Sequence, residues 1–254
     1  MFNKIVLFFR NEEGSESLIN YGKKLQEKYK LRVEGLYVKD VNKYDIIPAG
    51  VEGMIMDTSS NYIIKEWEEI EVKTSQAIKE KFLKEFGPAK FSIVEGLTVE
   101  SAIKKLNSAD ILITTKKEII DSEIKALLRV HEKPIILIPE KGDFGLDNVV
   151  FADDLEEKSN KSIFSFLNIF SDVVRLDILY IKEEDDDLEL KEYFNISKKG
   201  YKEVRLGVKD SIEFINEKDM LIMGNLKHFF SFEKIVGDLG AKLLENSKIP
   251  VFIG

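Results

Sequence analysis

The sequence predicts an α/β protein made of two tandem doubly wound, parallel five-stranded sheets. Three observations predict it. Short continuous apolar runs, such as Ile5-Val-Leu-Phe-Phe9 and Pro134-Ile-Ile-Leu-Ile138, recur along the chain. Runs of this length read as strands buried on both faces, as in parallel sheets. They alternate with amphipathic stretches, the plan of strands joined by crossover helices. The plan is also written twice: Asp110-Ile-Leu-Ile-Thr-Thr115 through Ile138 has the same layout as Asp219-Met-Leu-Ile-Met-Gly224 through Ile253.

In the first copy, the run at 5–9 is followed by a polar turn and then by a helical face of Leu18, Ile19, Tyr21, Leu25 and Tyr29. Apolar residues at helical spacing must bury that face. Leu31 to Val38 resumes strand character, and the spacing fits a right-handed crossover. Residues 40–60 are apolar but lack a period, with Pro48, Gly50 and Gly53 interrupting them. The plainer reading is a connection packed on its own domain; the functional one is a flap or a contact surface. A long helix is expected from about Asn61 to Phe86, with Ile63, Trp67, Ile70, Thr74, Ala77, Ile78 and Leu83 turned inward and Trp67 in the core. Gly87-Pro88 ends it. Strands follow at 89–95, 110–115 and 134–138, with helices at 98–106 and 119–130 between them.

Glu140 to Asp147 is a short Gly-containing link. The domains are placed at 1–140 and 147–254 on either side of it. The second copy then reads as strand 148–152, helix 159–171, strand 173–181, helix 188–199, strand 203–207, helix 210–216, strand 219–223 and a final strand after Pro250. Matching by letter, Asn3 and Asn148 open the first strands, an offset of 145, and Asp110 and Asp219 open the fourth, an offset of 109. The second copy is shorter by the 36 residues between these offsets, lost mainly where the first has its 40–60 loop and long helix.

Bulk composition excludes several functions. With 44% hydrophobic and 33% charged residues and no cysteine, the chain reads as a soluble globular protein without disulfide or thiolate chemistry. No apolar run is long enough to span a bilayer, and residues after Met1 do not read as a signal peptide, so a cytoplasmic location is expected. Net charge is −8, with 15 Lys+Arg against 22 Asp+Glu after residue 145. That balance argues against nucleic-acid binding, which needs a basic face. Two histidines, His131 and His228, do not make a transition-metal site. The run Asp185-Asp186-Asp187 lacks a turn glycine among its acids and reads as a solvated loop rather than a cation site. Neither a G-x-x-x-x-G-K-[ST] nor a G-x-S-x-G motif occurs, and no acid–base pair stands out as catalytic. Gly14-Ser15 could meet an anion at a helix start, but a helix cap is the plainer reading.

Val150-Phe-Ala-Asp153, Ala109-Asp-Ile-Leu-Ile113, Lys218-Asp-Met-Leu-Ile-Met-Gly224 and Ser247-Lys-Ile-Pro-Val-Phe-Ile253 carry a resemblance. The chain resembles the universal stress protein family in its tandem form, over essentially its whole length. The resemblance implies the adenine nucleotide α-hydrolase-like fold, an aspartate at Asp153 facing an adenine, and two domains packed as an intrachain pair through their fifth strands. It also implies a non-enzymatic stress-response or regulatory role. The family's nucleotide-binding members carry a Gly, two residues, a Gly, nine residues, then Gly followed by Ser or Thr. Here Gly224 matches the first Gly, Lys227 replaces the second, Gly237 stands at the expected distance, and Asp238 replaces the hydroxyl residue.

The cradle works because glycines let backbone N–H groups approach phosphate and the helix start favours an anion. A carboxylate at Asp238 repels phosphate, while Lys227 supplies a compensating cation. Asp153, Gly224, Lys227, Gly237 and Asp238 are therefore the candidate binding residues, and ATP or AMP the candidate ligand, in the second domain alone. No resident cofactor is expected. The first domain has no glycine between Thr115 and its fifth strand, and Arg10 stands where the family often has Asp. Homodimerisation of the chain is a further expectation. Two alternatives remain open: an ATPase using the second domain, and an adaptor docking a protein partner through the 40–60 loop.

Overall fold

Alternate residues of each apolar run serve opposite faces of a sheet, and this parity organises the molecule. The computed structural model describes residues 2–41, 58–153, 157–180, 188–224 and 239–254. The first half comprises β1 (Lys4–Phe9), α1 (Ser15–Tyr29), β2 (Arg32–Asp40), α2 (Thr58–Phe86), β3 (Phe91–Gly96), α3 (Thr98–Leu106), β4 (Ile111–Lys116), α4 (Ser122–Val130) and β5 (Ile135–Pro139). The second comprises β6 (Val149–Asp153), α5 (Glu157–Ile169), β7 (Arg175–Tyr180), α6 (Leu188–Ile196), β8 (Gly200–Arg205), α7 (Val208–Asn216), β9 (Met220–Met223), α8 (Leu239–Asn246) and β10 (Val251–Ile253).

Each half is a parallel five-stranded sheet, and the two are continuous as one ten-stranded sheet in the order β3-β2-β1-β4-β5-β10-β9-β6-β7-β8. Read outward from the centre, both halves have the same strand order. They meet at β5 and β10, the one antiparallel pair among the described strands, in which Ile136 faces Phe252. Both edges that would otherwise expose unpaired N–H and C=O groups are closed there.

Helices cover the two faces. Ile5, Leu7, Phe9, Val149 and Phe151 pack under α1, α2, α5 and α6, through Leu18, Tyr21, Phe82, Ile163, Phe166 and Phe194. Val6, Phe8, Val150 and Ala152 pack under α3, α4, α7 and α8, through Ala102, Leu127, Ile215, Leu243 and Leu244. The fully apolar strands follow from this double cover.

The internal symmetry corrects the register read from letters. Asp110 accepts hydrogen bonds from the backbone N–H groups of Asn3 and Lys4 at 2.9 and 2.8 Å. Asp219 accepts the same pair from Asp147 and Asn148 at 3.0 and 2.8 Å. The equivalents are thus Asn3 with Asp147 and Lys4 with Asn148, an offset of 144 rather than 145. Phe9, not Arg10, is consequently the counterpart of Asp153.

Helix α2 departs from its expected inward stripe. Trp67 and Ile70 are 51% and 55% exposed, and the described part of α2 is buried only from Ser75 onward, at Ser75, Ile78, Phe82 and Phe86. A helix of 29 residues is about 44 Å long at 1.5 Å per residue. That exceeds the span of the strands on which it packs, β2 of nine residues and β3 of six, so its first turns run beyond the sheet. No described helix is long and apolar enough to cross a membrane.

Candidate functional site

In a sheet of order 3-2-1-4-5, the helices after the first and third strands leave to opposite faces. Their divergence opens a cleft at the carboxyl ends of the first and fourth strands. The molecule has two such positions, between β1 and β4 and between β6 and β9, and they are filled differently.

In the second half, Asp153 ends β6 and is fully buried. Its Oδ1 accepts a hydrogen bond from the Ser159 hydroxyl of α5 at 3.2 Å. Phe151 pairs with Ile222 in β9. Continuing that register by two residues places Gly224 beside Asp153. A carboxylate and a residue without a side chain thus stand at this switch position, on the face covered by α5. Tyr180 pairs with Asp153 across β6 and β7, and Arg205 with Tyr180 across β7 and β8. The Arg205 guanidinium lies 4.4 Å from the centre of the buried Tyr180 ring, and the Lys191 ammonium 5.6 Å from it. Lys227, Gly237 and Asp238 lie outside the described residues, as do most of the 40–60 loop (42–57), the acids at 183–187 and His228. Of the five candidate binding residues, the structure therefore places Asp153 and Gly224, at adjacent strand ends.

In the first half the same positions are filled by side chains. Phe9 takes the place of Asp153 and sits in an aromatic cluster with Phe82 and Phe91, at ring separations of 6.1 and 5.6 Å. Thr115 takes the place of Gly224 and packs on the start of α1. A Cβ built on Gly14 would come within 2.6 Å of Thr115 Cγ2. Gly14 is therefore a packing glycine, and Ser15 turns its hydroxyl back onto the Glu12 carbonyl at 2.7 Å. The burial pattern of α1 repeats in α5 with an offset of 145, which sets Ser159 where Gly14 stands. The two halves have exchanged the small residue: Gly on the helix and Thr on the strand in one, Ser on the helix and Gly on the strand in the other.

The helix start that could receive an anion in the first half also holds one from the chain itself. Asp121 caps α4, accepting from the Ile124 N–H at 2.9 Å. Arg10 Nη2 donates to Asp121 Oδ2 and to Glu123 Oε2, both at 2.7 Å, and its Nε to Glu123 at 3.0 Å. Although burial alone pushes the Arg10 pKa down, hydrogen bonds and charge from Asp121 and Glu123 raise it overall. Tyr37, the partner of Phe9 in β2, is buried, and its hydroxyl is pushed up to about 12 by that burial, with Glu71 and Glu123 adding to the rise.

Sequence reasoning missed Phe9, Thr115 and Ser159 as the residues that decide between the halves. The signal was available in the parity of Ile5, Leu7 and Phe9 against Val149, Phe151 and Asp153. His131 ends α4, buried, with Nδ1 3.0 Å from the Lys133 carbonyl oxygen. Among the described residues, no group of three His, Asp or Glu is arranged to hold a metal ion. An open concavity of about 570 Å³ lies between α1 and the link, lined by Lys24, Glu27, Lys28 and 145–147, next to the start of β6, whereas Asp153 ends that strand.

Solved structures share this architecture. A universal stress protein from Archaeoglobus fulgidus matches at 14% identity with a TM-score of 0.62, covering 98% of this chain and 95% of that one. A Pseudomonas aeruginosa structure described as a putative universal stress protein matches at 10% identity and 0.58, covering 99% and 92%. A functionally unknown protein from the same species gives 10% and 0.56, again covering 99% and 92%. No family model and no curated protein sequence matches the chain. The fold is that of the universal stress proteins, over the whole chain.

Proposed function

We propose that this chain is a tandem universal-stress-protein-like binding protein, regulatory rather than enzymatic, with an adenine-nucleotide site in its second half only. One observation carries the reading: at equivalent strand ends the second half has Asp153 and Gly224, and the first has Phe9 and Thr115. The buried carboxylate offers a hydrogen-bond acceptor, and the glycine beside it carries no side chain to fill its position. Phe9 and Thr115 remove both, and the Arg10–Asp121–Glu123 cluster satisfies the nearby helix start. ATP or AMP is the ligand class that the fold and the frame Gly224, Lys227, Gly237 would take, with Asp153 as the base-facing group. Lys227 supplies positive charge where a second glycine is missing, and Asp238 weakens phosphate binding. AMP is accordingly expected to bind at least as well as ATP.

Isothermal titration of the full chain with AMP and with ATP tests this. The expected result is saturable binding of one equivalent, abolished by Asp153→Ala and unaffected by Arg10→Ala. No heat at high micromolar ligand, or binding that survives Asp153→Ala, would overturn the reading. Hydrolysis of bound ATP at a steady rate would instead favour an ATPase.

A further inference from the structure

Lys116 is the last residue of β4, on the face covered by α4 and α8, and its side chain is buried. Its ammonium hydrogen-bonds into the other half. It donates to the carbonyl oxygens of Leu244 at 2.8 Å and Ser247 at 2.7 Å, both at the C-terminal end of α8 in the second half. The antiparallel pairing of β5 and β10 makes this reach natural. Val251, the start of β10, lies opposite Leu137 near the end of β5, and Lys116 pairs with Pro139 one strand away. The turn from α8 into β10 is thereby set over the end of β4. A helix C-terminus has carbonyls without intrahelical donors and a partial negative charge, so an ammonium there is well matched.

The position within the repeat gives the contact its meaning. Lys116 immediately follows Thr115, the counterpart of Gly224, so it stands where the second half begins its candidate phosphate-binding segment. The helix whose far end it holds is the one that closes that segment, since α8 starts one residue after Asp238. We infer that the strand end vacated as a phosphate cradle in the first half now works as a fastening between halves, with Lys116 a positioning residue that holds α8 and so sets the second-half ligand site. The ligand part of this inference rests on the nucleotide reading above; the fastening of α8 does not.

Hydrogen exchange on the full chain separates the two. In Lys116→Met, amides of 243–247 are expected to exchange at least tenfold faster than in the wild type, while those of Leu127 and Leu128 in α4 stay unchanged. Lys116→Arg, which keeps the charge and its donors, should restore most of the protection. Lys104→Met, on an exposed position of α3, serves as control and should change nothing. Unchanged exchange in α8, or equal acceleration of α4 and α8, would overturn the fastening role. So would a Lys116→Met chain that does not fold beside a Lys104→Met chain that does, because Lys116 would then be a general core requirement. In the same variants, AMP affinity is expected to fall about tenfold for Met and to recover for Arg. A wild-type chain that binds no nucleotide would sink the nucleotide reading and leave the exchange result standing.

Discussion

Thr115 packs its methyl group onto Gly14, across the gap between β4 and the start of α1. A Cβ at residue 14 would stand 3.1 Å from Thr115 Cβ and 2.6 Å from its Cγ2, the latter closer than real carbon contacts allow. Gly14→Ala is therefore expected to cost about 1–3 kcal/mol through overpacking. Thr115→Ala shortens the opposing side chain, and in the Gly14→Ala background it should recover part of the loss. Urea melts of the two single variants and the double variant give the coupling directly. Strictly additive effects would show that the two residues do not share the space.

That contact also shows what was legible in the sequence. The strands were readable because both faces of the sheet are covered, which writes continuous apolar runs. Helix types and the twofold plan followed from the same pattern. Register was less readable. Asn3 and Asn148 share a letter, but the backbone register is set by the carboxylates of Asp110 and Asp219, and these point to Asn148 as the partner of Lys4. One residue of slip transfers a position to the other face of a sheet. It made Arg10 look like the counterpart of Asp153, when Phe9 is. Trp67 misled for another reason: its helical spacing with Ile70, Thr74 and Ile78 is real, but the sheet beneath ends before it. Long-range placement of this kind has no signature in local periodicity.

Substitutions along α2 should divide accordingly. Trp67 is half exposed and Phe82 fully buried among Phe9, Phe86 and Phe91. Trp67→Ala is expected to change stability by less than about 0.5 kcal/mol, as surface substitutions do. Phe82→Ala should cost about 3–5 kcal/mol through lost burial and a cavity. Chemical denaturation of the two variants checks this. A large loss from Trp67→Ala would mean that the first turns of α2 are covered in solution.

Glu34 introduces a dependence on acid. It is buried in β2 and meets the ammonium of Lys105 at 2.8 Å, Arg32 at 3.1 Å and Lys4 at 3.5 Å. Burial by itself raises its pKa, but Lys105, with Lys4 and Arg32, lowers it further than burial raises it. A carboxyl whose folded pKa is depressed adds stability above its unfolded pKa and loses it as pH falls through the folded value. Wild-type stability should therefore decline on acidification below the ordinary carboxylate range. Glu34→Gln should be less stable than wild type at neutral pH and show a shallower acid decline. Equal slopes for the two proteins between neutral and acid pH would exclude Glu34 as a contributor.

Lys116 gives a dependence of the same sign, on the alkaline side. Burial pushes its pKa down to about 8, against a smaller upward pull from Glu118 and Glu245. The unfolded chain then holds this proton over a range where the folded chain has released it. Stability rises with pH wherever the unfolded state binds more protons. The contribution of Lys116 should thus increase from about pH 8 toward the ordinary lysine pKa, although the two carbonyl contacts from its Nζ persist through its remaining N–H donors. Other lysines in ion pairs act in the opposite direction, so the difference between wild type and Lys116→Met is the informative quantity. Wild type minus Lys116→Met stability should grow as pH is raised above 8. A constant difference across that range would place the Lys116 pKa near its ordinary value and leave only its hydrogen bonds to account for the variant.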